Sequence, residues 1–174
     1  MDDYTPETIR IELTQGQFAI VDLQDGFLTD FTWQADLDRK YANGGAYKAR
    51  RTIIVQGRKT GILMHRQLME YILGRPLQKN EEVDHIDLNP LNNTRKNLRL
   101  ATHAENSRNR RKRRDNTSGY TGVTFIKARS AWIAIIYVNR KRVWSSGFKT
   151  TALEAHEARC KAIDQYHGSF ARHE

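Results

Sequence analysis

The stretch from Val83 to Arg110 restricts what this chain can fold into more than any other part of it. Two short strand-like runs, Glu82 to Ile86 and Leu98 to Ala101, flank the loop Asp87-Leu88-Asn89-Pro90-Leu91-Asn92-Asn93. Its Asp, Asn and Pro residues have the chemistry of tight turns, so the runs read as paired strands around a turn-rich loop. Thr102 and Glu105 then stand at capping-box spacing, which predicts a helix from about His103, with Asn106 in its first turns and Asn109 and Arg110 one turn further on. A module of this size has a thin core, and needs help from a metal or a partner.

The same residues carry chemistry. The carboxylate of Asp84 and the amide oxygen of Asn106 are hard donors, of the kind that hold Mg²⁺ while leaving positions to water and phosphate. His85, beside that carboxylate, is the natural general base, because an imidazole that titrates near neutrality can take a proton from water. Neighbours on an ideal strand point to opposite faces, so Asp84 and His85 share one site only if the strand twists or ends there. Taken singly, Asp84, His85 and Asn97 are ordinary turn and hydrogen-bonding residues; the spacing of the set is what points to a phosphodiester-cutting metal site.

The order Asp-His, loop, Asn97-Leu98-Arg99, helix, Asn106 resembles the HNH endonucleases, and the likeness extends to Met64-His65-Arg66 and to Asn106-Ser107-Arg108-Asn109-Arg110. The resemblance implies a finger of two strands and one helix around a metal. It places the general base on His85, an asparagine that orients that base and pins the loop on Asn97, and the metal on Asp84 and Asn106. Catalytic residues are thus expected at His85, Asn97, Asp84 and Asn106. The last motif position is often histidine; an amide there favours Mg²⁺, with Mn²⁺ as an alternate, and no zinc is expected.

The chain has 174 residues, a formal charge of +9 and a pI near 9.8, which point to a polyanionic partner; the resemblance to the HNH endonucleases implies that this partner is double-stranded DNA. Its single cysteine, Cys160, excludes an internal disulfide and a cysteine-rich zinc knuckle, and reads as a small buried residue of an alanine-rich helix. No apolar run approaches the roughly 18 residues of a membrane span, and Met1-Asp2-Asp3-Tyr4 is acidic where a secretory signal is basic. A monomer in the cytoplasm, without membrane contact, is the expectation.

Arg108, Arg110, Arg111, Lys112, Arg113 and Arg114 form a nearly unbroken basic run, read as a DNA-tracking linker that ends at Asp115-Asn116-Thr117-Ser118-Gly119. Beyond it, Gly122 to Ile126, Ala131 to Val138 and Arg142 to Phe148 read as three strands. Thr151-Ala152-Leu153-Glu154 caps a helix whose Leu153, Ala155, Ala158, Ala162, Ile163 and Tyr166 cover one sheet face until Gly168. Ser118-Gly119-Tyr120-Thr121-Gly122-Val123, Trp132-Ile133-Ala134-Ile135-Ile136, Gly147-Phe148 and Tyr166-His167-Gly168 resemble the ethylene-response-factor, or Apetala, DNA-binding domains. That resemblance implies a sheet lying in the major groove, with Arg129, Trp132, Arg140, Arg142 and Trp144 on its outer face as contacts. The first strand departs from the arginine-rich family pattern, offering Thr124, Phe125, Ile126 and Lys127.

Toward the N-terminus, Ile9 to Leu13, Phe18 to Leu23 and Tyr47 to Val55 have strand-like content, with turns at Gly16, Asp25-Gly26 and Asn43-Gly44-Gly45. The phrase Leu13 to Asp22 is similar to the opening of phage HNH endonucleases that carry the sheet-type module. His65 to Leu73 reads as a helix stopped by Gly74 and Pro76, burying Leu68, Met69, Ile72 and Leu73. The fold class is α+β. An N-terminal β-rich DNA-contacting region (1–60) precedes the HNH finger (61–110), a basic linker (111–118) and a three-stranded antiparallel sheet packed on one helix (119–168). DNA contacts are expected from His65, Arg66, Arg99, Asn109, Arg110, Arg113, Arg114 and Lys127, besides the five residues of the sheet. The function expected is that of a phage homing endonuclease. The alternatives are a non-catalytic DNA-binding regulator and a non-specific nuclease, the latter disfavoured by the C-terminal module.

Overall fold

The computed structural model describes residues 7–38, 46–109 and 115–173. The turn at Asn43-Gly44-Gly45, the contacts expected of Arg110, Arg113 and Arg114, and the first half of the basic linker lie outside the described residues. The chain divides into two units, 1–103 and 104–174. It is a mixed α/β protein of several small antiparallel sheets.

In the first unit, β1 (Thr8–Glu12) pairs antiparallel with β2 (Phe18–Asp22). A sheet of order β3-β4-β5 follows, made of β3 (Gln34–Asp38), β4 (Ala46–Val55) and β5 (Arg58–Leu63). β3 and β5 were not expected. β3 alternates Asp36 and Asp38 with apolar neighbours, and those carboxylates pair across the sheet with Arg50 and Lys48, 3.5 and 2.7 Å away. Its strand character therefore lies in cross-strand partners rather than in local composition.

The helix α1 (Met64–Leu73) ends where Gly74 takes a left-handed conformation, φ 64°, and its N–H reaches back to the carbonyls of Glu70 and Tyr71. Glycine carries no Cβ to oppose that geometry, which accounts for the stop. The helix buries Met64, His65, Leu68 and Met69, whereas Ile72 is exposed, so the buried stripe lies one turn nearer the N-terminus than the expected Leu68, Met69, Ile72 and Leu73. β6 (Glu82–His85) and β7 (Leu98–Ala101) pair antiparallel, with Asp84 opposite Arg99 and His85 opposite Leu98. One apolar core runs through the unit: Ile11, Ala19 and Val21 from the first hairpin, Ala35 and Ala49 from the larger sheet, Leu68 and Met69 from α1, Val83 and Leu98 from β6 and β7. The β6–β7 pair is thus seated on the core of the N-terminal strands.

In the second unit, α2 (His103–Arg108) precedes β8 (Val123–Ile126), β9 (Ala131–Val138) and β10 (Lys141–Ser145), in sheet order β10-β9-β8, and then α3 (Ala152–His167). His103, the first residue of α2, falls on the first unit's side of the division. The β9–β10 turn has Asn139 and Arg140 at φ 50° and 65°, the left-handed pair that suits a two-residue hairpin. Thr151 and Glu154 form the expected capping box, with Glu154 N–H donating to Thr151 Oγ1 at 3.1 Å. α3 buries Ala155, Arg159 and Ile163, four residues apart, while Leu153 is exposed, contrary to its expected place on the covered face. The small Ala155 on that stripe packs with Val123 and Ala134 of the sheet.

Candidate active site

Asp84 and His85 occupy the last two positions of β6, and the strand stops at His85, whose carbonyl accepts a turn hydrogen bond from the Leu88 N–H at 3.0 Å. The end of the strand is the condition under which neighbouring residues share a site. Both side chains are buried, at 3% and 5% exposure.

The loop between β6 and β7 holds itself by side-chain hydrogen bonds. Asn97 accepts from the Asp87 N–H on Oδ1 (3.0 Å) and donates from Nδ2 to Asp87 Oδ1 (2.9 Å) and to the Asn92 carbonyl (2.7 Å). Asp87 also accepts from the Asn89 N–H and from Asn92 Nδ2, so two amide side chains and one carboxylate tie the loop together. Leu88 sits at φ 63°, a left-handed conformation that this network holds in place.

The loop is anchored from outside as well. Ile20 of β2 donates to the Leu91 carbonyl (2.8 Å) and accepts from the Asn93 N–H (2.7 Å). The Arg95 N–H donates to Asp22, and its guanidinium meets the fully buried Asp25 at 2.6 Å from Nη2. The first hairpin and the short 3₁₀ segment after it therefore clamp the loop.

The Asn97 side-chain bonds all go to the loop and none to His85. The residue that meets the histidine is Asn93, fully buried, whose Oδ1 lies 3.1 Å from His85 Nε2. Asn93 Nδ2 donates to the Leu91 carbonyl at 3.3 Å and faces the Met64 sulfur, which fixes which end of the amide is the oxygen. An oxygen opposite Nε2 requires the proton on Nε2, and the basic lone pair of His85 is then on Nδ1. Burial pushes the imidazole below its ordinary range, opposed in part by the Asn93 hydrogen bond and by the carboxylates of Asp87 and Asp84. His85 is consequently neutral at pH 7, the state a general base needs.

Asp84 Oδ2 accepts from Arg99 Nε at 2.8 Å and Nη2 at 2.7 Å across the strand pair. This forked contact engages Arg99, which was expected to touch DNA, and means that an ion arriving at Asp84 meets a guanidinium already there. Among the described residues, no three histidine, cysteine or acidic side chains are grouped so that they could hold a metal ion. A buried carboxylate such as Asp84 is a hard oxygen donor, which fits an oxygen-seeking divalent ion that keeps much of its water better than a closed zinc cage.

Residues 63–108 match the model of the HNH endonuclease family. Protein 3.8 of Escherichia phage T7 is 37% identical over 109 residues, spanning 62% of this chain and 87% of that protein. The chain belongs to that phage protein family and carries an HNH endonuclease domain. No solved structure matches it.

The HNH domain brings His85, Asp84 and Asn97 into one neighbourhood on β6, β7 and their loop, and adds His65, whose ring lies edge-on to His85. Arg66 is half-buried beside it on α1. Asn106 lies on α2, in the second unit. Asn109, expected on DNA, is buried, and its Oδ1 accepts from Arg172 at 3.2 Å. In the second unit Lys127, Arg129, Arg140 and Arg142 are exposed. Trp132 and Trp144 are not on the outer face: both are half-buried against the Val123, Ala134 and Ala155 cluster, and Trp144 stands opposite the fully buried Ile136. Sequence reasoning missed Asn93, Asp22 and Asp25. The Asn92-Asn93 pair was visible only as turn chemistry, and nothing local distinguishes the amide that faces a histidine from the one that closes a turn.

No helix of the described residues is long and apolar enough to cross a membrane.

Proposed function

We propose that this chain is a site-specific DNA endonuclease of the homing type, hydrolysing phosphodiester bonds in double-stranded DNA with one divalent ion and His85 as general base. The observation that supports this most is the buried His85 imidazole, its Nε2–H engaged by Asn93, at the end of the strand that also carries Asp84. Asp84 and Asn106, both inside the HNH match, would hold Mg²⁺ or Mn²⁺, and the ion when bound supplies charge stabilisation at the phosphate and at the departing 3′ oxygen. His85 Nδ1 takes a proton from water as the water oxygen attacks phosphorus. The bond to the 3′ oxygen breaks, that oxygen takes a proton from solvent water, and a 3′ hydroxyl and a 5′ phosphate are left. Asn93 holds the ring in the required tautomer, and Asn97 holds the loop that presents both residues.

Target recognition falls in this reading to the second unit, as an Apetala-type sheet acting through Lys127, Arg129, Arg140 and Arg142, with Trp132 and Trp144 supporting the sheet from its core. The basic run with Arg110, Arg113 and Arg114 tracks phosphates in the same reading, aided by Arg66. The enzyme acts as a monomer on one long asymmetric target.

A second reading, a DNA-binding regulator without catalysis, has one observation in its favour: Arg99 already neutralises Asp84. Supercoiled plasmid carrying the gene's flanking sequence separates the two. The nuclease reading expects nicking or linearisation with Mg²⁺ or Mn²⁺, abolished by EDTA and reduced about 10²- to 10⁴-fold in His85→Ala with DNA binding retained. Intact plasmid under every divalent ion, on DNA the protein binds, supports the regulator.

A further inference from the structure

His65 enters the active-site region from the first turn of α1, and its ring lies against that of His85 with centroids 5.0 Å apart and planes at 79°. It is buried, and its Nδ1 is enclosed without a hydrogen-bond partner. No side chain or backbone group among the described residues bonds its imidazole at either nitrogen. An enclosed N–H without an acceptor is a costlier defect than an enclosed lone pair, so Nδ1 is the bare nitrogen and Nε2 carries the proton. Burial above all, then the neighbouring His85, Lys48 and Arg66, disfavours the charged ring, so His65 stays neutral and keeps this tautomer.

Packing alone does not explain a histidine here. Leucine or phenylalanine would fill the same volume against Met64 and His85 without leaving ring nitrogens unpaired. Buried polar groups that lack partners in a free enzyme are candidates for pairing with substrate. His65 offers a neutral N–H donor beside the base, with Lys48 and Arg66 adding positive potential around it. A donor in that position suits an anionic oxygen and is poorly suited to metal binding while it holds its proton.

We propose that His65 is a second catalytic histidine, whose Nε2–H donates to a non-bridging oxygen of the phosphodiester that His85-activated water attacks. This rests on the hydrolytic reading above and adds the group that meets the phosphate. No proton is transferred at His65: the hydrogen bond strengthens as charge gathers on the phosphate oxygens, and the proton remains on Nε2.

The test compares His65→Phe and His65→Gln in the full chain by cleavage of a target duplex with Mg²⁺, alongside His85→Ala. Loss of one charge-stabilising donor lowers kcat about 10²- to 10³-fold in His65→Phe with KM little changed. His65→Gln, which restores a side-chain N–H, recovers to within about tenfold of the parent. Cleavage by His65→Phe within about threefold of the parent, or equal impairment of the glutamine variant, overturns the proposal. A second arm needs neither cleavage nor a substituted core. Imidazole nitrogen NMR of the parent protein in EDTA, with target duplex added, should show His65 as the Nε2–H tautomer and its Nε2 resonance moving on DNA binding. An Nδ1–H tautomer, or a resonance that DNA leaves in place, overturns it. If the parent does not cleave at all, the hydrolytic reading fails on its own while the NMR arm still decides whether His65 meets phosphate.

Discussion

Replacing Asn93 with leucine keeps a branched side chain of similar shape and removes the buried amide oxygen that lies 3.1 Å from His85 Nε2. The Leu91 carbonyl keeps its other donor, Ile20 N–H, so the uncompensated loss is at the imidazole. A buried hydrogen bond is worth about 1 kcal/mol net, and an orphaned buried donor costs about 1–3 kcal/mol more, so Asn93→Leu should destabilise the first unit by roughly 2–4 kcal/mol. For a unit of this size that lowers the melting temperature by roughly 10–25 °C, which calorimetry resolves. Activity should fall further than stability accounts for, because the Asn93 oxygen that favours the proton on Nε2, and so the basic lone pair on Nδ1, is gone. The loss is bounded by the general-base contribution, about 10²–10⁴, and should reach at least tenfold in kcat below the melting transition. Since Asn93 acts through His85, the two substitutions are not additive: adding Asn93→Leu to His85→Ala should change kcat by less than about threefold. Full turnover in Asn93→Leu, or losses that multiply in the double variant, would refute this account of the site.

Arg95→Ala should destabilise the first unit by about 3–5 kcal/mol, because it strands the fully buried Asp25 carboxylate; a melting temperature within about 4 °C of the parent contradicts the clamp. Gly122→Ala should cost the second unit about 1–3 kcal/mol, since Gly122 sits at φ 73° and a Cβ there would lie 2.8 Å from Arg159 Nε and 3.1 Å from the Ile135 carbonyl; unchanged unfolding of that unit contradicts it. Glu81, bonded to Arg75 at 2.7 and 2.8 Å, has its carboxyl lowered to about 2 by that hydrogen bond first and by the Gln78 N–H second. A depressed acid stabilises the fold above its unfolded value near 4.5 and loses the effect as pH falls toward 2, so the small melting difference between parent and Glu81→Gln should be present at pH 7 and vanish by about pH 2.

Much of the HNH unit was legible because its signals are local. Turn residues, the Thr102–Glu105 spacing and the run at Leu98 locate β7 and the start of α2, and Gly74 and Gly168 mark the helix ends. What stayed hidden depends on partners distant in sequence. β3 is held by cross-strand ion pairs, and the loop by Ile20, Asp22 and Asp25, some seventy positions away from Asn93 and Arg95. The sheet face of Trp132 and Trp144 was misjudged for another reason. Trp132-Ile133-Ala134-Ile135-Ile136 is apolar on both faces, so a two-residue period cannot choose between them, and the alanine stripe of α3 selects Ala134 and Ile136 for the core. Arg159 inside that stripe was likewise invisible to hydrophobic patterning.

The central claim is hydrolysis with His85 as base, and cleavage of a target duplex in ¹⁸O-labelled water tests it most directly. With Mg²⁺ present, the account predicts strand scission that leaves 3′ hydroxyl ends and carries the label into the new 5′ phosphates, and that collapses in His85→Ala while the variant still binds the duplex. Scission undiminished in His85→Ala, label absent from the 5′ phosphates, or no scission of bound DNA would contradict it.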